Sequence, residues 1–509
     1  MKKTILICTI FVVVICLVRC NNAVNSGGFA PVAFPTNLGI PGFIFPTDSQ
    51  NIDAWLTLEQ TDSIRALDSI YNHGWGIWAG LTIKTTDTIP SNDTLLVFET
   101  WDSPGFLQNL LNNTPGASAG TAHMKTIRNS LRIPNQLKHI KRINVINFQG
   151  TPFIKIFHGP SNCPQTSYSK GIYPLLVTVE YNGPAAGHIL NNKLFDTSAL
   201  NTILSTGVDS IPDFPNNSIA IKPTYEIIPK SAIQSGKTPF RIWTGPNFCQ
   251  SGYGQNVWGG LVYIDGTNQE HTNNSGIDSS GNTGPNNTNT YNLNQFIYYV
   301  LTAADADSAN ANFGVTIAHA GDYAVLVGMH VTTREIERWT WQSFFWTPDI
   351  NMPATPSDSY IASRRPAQIT GAPAHYAMAI GYTFSWPNQP YTGGNISGNV
   401  VYAYNPFLEA GFGTAIFDAS GSATLVNPKN TADTTINLVG CASNCMSCHA
   451  LSTYTSSASP FGQPNPYIAD TYVDMLTNAN FKDPLSKFSQ KKKLKLDFLW
   501  SIDDNLLAR

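Results

Sequence analysis

The sequence predicts a large β-rich domain of the α+β class, sandwich-like in its layering and with a candidate internal β repeat, followed by a small C-terminal α-helical module. Three observations point there. Stretches dense in β-branched and aromatic residues, such as 323–333 and 339–346, suit a pleated, half-buried surface. Glycine, proline and asparagine punctuate the chain, with 39 glycines and 33 prolines, which keeps most elements short. From residue 437 the texture changes to a cysteine-bearing and then lysine-rich tail of about 70 residues, in which short helices are expected.

Taken in order, residues 1–20 open with Met1-Lys2-Lys3 and continue apolar from Ile5 to Val18 before Cys20. A basic start and an apolar run of about 7–15 residues is the pattern of a bacterial export signal, and is too short to span a bilayer comfortably. Cys20, followed by Asn21-Asn22, stands where a lipoprotein cysteine would. Arg19 departs from the small residue that lipoprotein processing favours, so lipid anchoring and simple secretion both stay open. The expected location is periplasmic or outer-membrane-tethered, with membrane contact only through the signal or a lipid. Losing Lys2, Lys3 and Arg19 would take the formal charge from −3 to −6, which argues against a nucleic-acid partner. Charged residues make up only 12%, about half the usual share, and the polar remainder fits an extracytoplasmic surface.

Residues 21–50 read as an extended lead-in rich in Gly, Pro and Phe. The β-rich domain begins at 51–265, with a helix expected over 61–72, where Ile64, Leu67, Ile70 and Tyr71 share a face. Gly74-Trp75-Gly76-Ile77-Trp78 reads as a connection into strands at 81–84 and 95–101, its tryptophans packing a β core rather than lining a cleft. Residues 151–163 align with 238–249, and 175–179 with 261–265, which suggests a duplicated strand–turn–strand unit. A weak helical pattern covers 185–204. The Asn/Gly/Ser/Thr tract 266–292 reads as a loop or linker, and Asp265, Glu270 and Asp278 lack the spacing of a calcium loop. The β-rich continuation, 293–436, holds a short helix near 296–308 and strands at 323–333, 339–346, 376–384 and 400–404. The last unit, 437–509, carries a candidate helix at 472–479, a basic run at 487–495 and an apolar segment at 496–502.

Chemistry concentrates in Cys445-Met446-Ser447-Cys448-His449, a C-x-x-C-H pattern. Two thiols on one helical turn can each form a thioether to a haem vinyl group, and the adjacent histidine can supply an axial nitrogen to iron. A zinc site built from Cys441, Cys445, Cys448 and His449, or a disulfide, are the competing readings. If Cys445 and Cys448 hold haem, Cys163 and Cys249 are the natural disulfide candidates in an oxidising compartment, and Cys441 reads as a buried thiol.

At this core the C-terminal segment resembles a c-type cytochrome. The resemblance implies covalent haem c with its iron, Cys445 and Cys448 as thioether cysteines, and His449 as the proximal ligand. Residues 433–440 are strand-like and leave room only for a short helix before the motif, so the large domain is expected to cover one side of the haem. Residues 328–336 and 497–502 also look like segments of large exported monohaem bacterial proteins of unassigned role.

The second axial position decides the chemistry. Met475 is the candidate distal ligand within the tail and His330 the alternative from the large domain, with Met329, His319, His375 and Met378 behind them. Each also reads as an ordinary packed residue. Met446 sits inside the motif and cannot swing to the opposite face. The first functional expectation is single-electron transfer with a redox partner protein. The alternatives are a haem-dependent oxidoreductase, peroxidase- or oxidase-like, with an open iron site and Arg334, Glu335 and His330 as its acid–base cluster, or a ligand-binding module with auxiliary haem. No phosphate-loop or H-E-x-x-H pattern favours a hydrolase.

Overall fold

A computed structural model describes residues 29–59, 61–88, 94–113, 131–133, 147–148, 151–152, 168–208, 210–245, 254–267, 271, 275–383, 385–386, 399–410, 422–424, 435–437, 444–449, 452–454 and 494–507. The expected signal and Cys20, both cysteines of the expected disulfide, Cys441, Met475 and the expected helix at 472–479 lie outside the described residues, as do the side chain of Cys448 and most of the first copy of the expected repeat. Among the described residues, no helix is long and apolar enough to cross a membrane.

Among the described residues, ten strands build the two larger sheets: β1 (Leu175–Val177), β2 (Glu180–Tyr181), β3 (Ile219–Ile228), β4 (Thr238–Ile242), β5 (Gly260–Asp265), β6 (Thr290–Asn292), β7 (Tyr298–Val300), β8 (Tyr323–Thr333), β9 (Thr340–Trp346) and β10 (Tyr376–Ile380). Seven of them form an antiparallel sheet in the order β10–β9–β8–β3–β1, with β7 beside β8 and β2 beside β3. The other three form a smaller sheet, β6–β5–β4, in which β6 runs parallel to β5. The fold is therefore mixed α and β, with several antiparallel sheets. The two strands equated in the expected repeat lie in different sheets, β1 pairing with β3 and β5 with β4 and β6.

The central strands β8 and β9 are buried on both faces, so they read as near-continuous apolar runs. On one face lies the main core, built by Met329, Val331, Phe344 and Met378 against helix α2 (Ser63–Leu81). That helix follows α1 (Ser49–Leu58), and each is capped by an aspartate, Asp48 for α1 and Asp62 for α2. It runs nine residues past the expected end at residue 72, straight through the Gly-Trp-Gly-Ile-Trp stretch. The glycines explain why. A Cβ on Gly76 would fall 2.2 Å from the Phe43 ring, one on Gly80 2.3 Å from Phe34, and one on Gly74 2.7 Å from Met378 Sδ. Glycine costs a helix about 1 kcal/mol each, and here it lets the aromatic lead-in and strand β10 approach the helix axis closely.

A second core fills the opposite face. It joins α3 (Pro104–Asn113), α4 (Gly183–Asn192) and α5 (Thr197–Ser205) to Trp339 and Trp341 and to buried residues of the C-terminal segment. Asn182 caps α4, Lys193 ends it in the left-handed region at φ 51°, and Asp196 then caps α5. Two short elements complete this side, α8 (Cys445–His449) and α9 (Trp500–Asp503), while α6 (Ala303–Phe313) and α7 (Pro406–Glu409) pack alanines and Phe407 on the main core.

Candidate haem-attachment site

Helix α8 is the C-x-x-C-H motif itself, five residues wound into one turn. Asn444 leads into it and anchors it to the large domain: its Nδ2 donates to the carbonyls of Thr383 and Val401, both at 2.9 Å. A parallel bridge pairs Ala403 with Asn444, and the backbone N–H of Cys445 donates to Ala403 O at 3.0 Å. Behind the motif, Ser452 N donates to His449 O at 3.0 Å, and the pair Thr453–Tyr454 joins Leu494–Lys495 in a small antiparallel ladder. Met446 is completely buried in the second core.

His449 is fixed from two sides. Its ring lies against the indole of Trp341, centroids 4.3 Å apart, and its Nδ1 meets the carbonyl of Phe498 at 2.8 Å. A carbonyl oxygen only accepts, so Nδ1 carries a proton, and in the neutral ring Nε2 is the nitrogen with the lone pair. This is the tautomer an axial imidazole needs, with a backbone carbonyl orienting the ring. His449 is thus held in a form that fits the axial position of a haem c. Cys445 is a buried thiol whose Sγ lies 2.8 Å from Ala403 O, a contact that thioether formation would replace. Among the described residues no three His, Cys, Asp or Glu side chains group as a metal site.

The fallback distal candidates separate cleanly. In register, His330 of β8 faces Ser343 of β9, two residues along from Trp341, so it shares the face that carries His449. Its Nε2 is paired with Glu409 Oε1 at 2.8 Å. Met329 and Met378 point to the other face, in the main core. His319 is exposed, and His375 accepts from Gln295 Nε2 at 3.1 Å, away from α8.

The acid–base cluster expected of Arg334, Glu335 and His330 is dispersed. Arg334 pairs with Asp497 at 3.0 Å on the α8 side. Glu335 turns to the main core, where its carboxylate pairs with His73 Nε2 at 3.1 Å, accepts from the Thr47 N–H at 2.5 Å and accepts from the Thr333 hydroxyl. His73 Nδ1 in turn meets the Tyr382 hydroxyl, to which Gln342 Nε2 donates at 2.7 Å. Burial, then Glu335, pushes the Tyr382 phenol well above its usual range. Adjacent residues of β9 thus serve both regions, Trp341 facing the motif and Gln342 facing this buried chain.

Trp341, Phe498 and Asp497 are the site residues that motif reading did not assign. Residues 339–346 gave a strand signal and 496–502 an aromatic one, but the pairing of Asp497 with Arg334 spans 163 positions and leaves no local pattern. Comparison with protein-family models, with curated proteins and with solved structures finds no match to this chain.

Proposed function

We propose that the chain is an exported c-type haem protein that passes single electrons to or from a redox partner protein, from a periplasmic or outer-membrane-tethered position. Cys445 and Cys448 hold the haem as thioethers and His449 supplies the axial nitrogen. The observation that carries the reading is the His449 Nδ1 contact to the Phe498 carbonyl inside a C-x-x-C-H turn. It presents Nε2 in the form an iron needs. The bound haem would supply the one-electron couple. The chain supplies the seat: Trp341 against the imidazole, Phe498 as acceptor, Asn444 as the anchor of the turn.

Electron transfer is favoured over the peroxidase-like alternative because Arg334, Glu335 and His330, on which that alternative drew, each have a separate partner. The test is a spectrum, oxidised and reduced, of protein matured with haem, after acid–acetone extraction and again with carbon monoxide. Haem that resists extraction and a low-spin spectrum indifferent to carbon monoxide support the reading. Extractable haem, or none, would overturn it, and ready carbon monoxide binding would move the assignment to the oxidoreductase.

A further inference from the structure

The carbonyl that meets His449 sits in strained backbone. Asp497 and Phe498 are consecutive non-glycine residues in the left-handed region, at φ 45° and 66°. Such residues cost about 1–3 kcal/mol each and persist only where surrounding contacts hold them. Those contacts converge on the Asp497 carboxylate, which is 3% exposed as a residue. Its Oδ2 accepts from Arg334 Nε at 3.0 Å and from the Phe214 N–H at 3.1 Å. Arg334 is itself tied down at the end of β8: its N–H donates to Ser218 O at 3.0 Å, and its guanidinium also reaches Asp213 at 3.7 Å. Downstream, Phe498, Leu499 and Ile502 are buried in the second core, which closes the segment from the other side.

Resting on the haem reading above, we propose that Arg334 and Asp497 are positioning residues for the axial ligand. Their buried ion pair holds the left-handed turn that presses the Phe498 carbonyl onto His449 Nδ1–H. An acceptor at Nδ1 raises the electron-donating power of Nε2 and so favours ferric over ferrous iron. Releasing the carbonyl weakens that donation, and the reduction potential rises. Control of the iron is thereby placed at the end of the central strand of the large domain.

The experiment compares Arg334→Met, Arg334→Lys and Asp497→Asn with the wild type, each checked for native far-UV circular dichroism. Two quantities are read: the midpoint potential of the haem-matured protein, and hydrogen-exchange protection of the His449 Nδ1–H in the haem-free protein. Outer-shell partners of metal ligands are worth about 10–100-fold. Arg334→Met should therefore shift the ferric–ferrous ratio about tenfold toward ferrous, a rise of about 59 mV for one electron, and abolish the protection. Arg334→Lys should keep most of both. If Arg334→Met does not fold, Asp497→Asn keeps the side-chain shape and tests the same pair. An unchanged potential together with retained Nδ1–H protection in the variants would overturn the proposal. If the wild type attaches no haem covalently, the functional reading fails by itself, and the exchange measurement still decides whether the pair positions His449.

Discussion

Acidification should weaken the protein at His375. Its ring is stacked on Trp346 with planes 12° apart, and its Nε2 accepts from Gln295 Nε2 at 3.1 Å. Gln295 is oriented by accepting the Asn292 N–H on Oε1 at 2.8 Å, so its amide nitrogen is the end that faces the imidazole. Burial first, and the Arg365 guanidinium second, pull the His375 pKa from 6.5 down to about 4. In the unfolded chain the ring titrates near 6.5, so between about 4 and 6.5 the unfolded state binds more protons. The stability held by the neutral ring is complete above 6.5 and is lost as the pH falls toward 4. At about 1.4 kcal/mol per pH unit the full effect is about 3 kcal/mol, of which about 2.5 kcal/mol is spent by pH 4.5. Glu226 acts with the opposite sign. It is fully buried, and burial holds its carboxyl well above the usual range despite the Gln255 hydrogen bond. Its contribution is complete below the ordinary carboxylate value and falls as pH rises. The whole-protein curve mixes these with His188, which burial also pulls down, and the difference between wild type and His375→Gln isolates His375. Urea midpoints from pH 7.5 to 4.5 should show the variant gaining about 2.5 kcal/mol on the wild type as the pH drops. Parallel curves would refute the argument.

Gly76→Ala should gain about 1 kcal/mol of helix propensity but lose about 1–3 kcal/mol by driving a methyl group into the Phe43 ring. A lowered urea midpoint is expected, and a raised one would mean Phe43 is not seated on α2. Glu335→Gln turns one of two buried acceptor oxygens, which take the Thr47 N–H and the Thr333 hydroxyl, into an NH2 donor, and a buried donor left facing a donor costs about 1–3 kcal/mol. Wild-type stability of that variant would show that these contacts do not hold the region together. His449→Ala, matured with haem, should keep covalent attachment through Cys445 and Cys448 while its spectrum turns high-spin. An unchanged low-spin spectrum would remove His449 from the iron.

Where local pattern and tertiary demand agree, the elements were legible. The strand read at 323–333 is β8 to the residue, 339–346 is β9 within one position, and the pattern over 185–204 became α4 and α5. The misreadings have two causes: a partner far away in the sequence, or a side-chain hydrogen bond to nearby backbone, overrides the local pattern. Three glycines argue for a turn until Phe34, Phe43 and Met378 are brought to α2. Residues 95–101 have strand composition and begin inside the strand Thr94–Leu96, yet Glu99 Oε2 accepts from the Leu96 N–H at 2.8 Å and the Thr100 hydroxyl donates to the Val97 carbonyl, so Val97–Thr100 closes into a 3-10 turn. The helix expected near 296–308 begins only at Ala303, where Thr302 and Asp305 form its capping box, and the residues before it pair as β7. The polar tract after β5 is folded back on it, with Asp278 bridging Leu261 and β6 running alongside. At the candidate site, the motif cysteines and histidine are adjacent in the sequence and legible as a pattern there. Trp341 and the Arg334–Asp497 pair are contacts across the fold, visible only once the strands are in register.

The same long-range contacts bear on whether the C-terminal residues form a separable module. Tyr181 Oη donates to Ser501 Oγ at 2.5 Å, Tyr454 Oη to Asn201 Oδ1 at 2.9 Å, and Leu507 N to Phe195 O at 2.7 Å. Met446, Tyr454, Leu494, Leu496, Phe498, Leu499 and Ile502 are all buried in the core they share with α3, α4 and α5. At about 1.5–3 kcal/mol for each buried apolar side chain, these seven amount to about 10–20 kcal/mol, as large as the net stability of a typical folded domain. A chain ending at residue 436 would uncover Trp341, Tyr181, Leu190 and Leu200 together. It should bind a hydrophobic dye, lose near-ultraviolet circular dichroism and unfold without a sharp transition. A truncated chain that unfolds as cooperatively as the full one, at the same midpoint, would make the tail an independent unit. The seat of His449 would then be something the tail builds alone, and the influence of Arg334 on it would have to be given up.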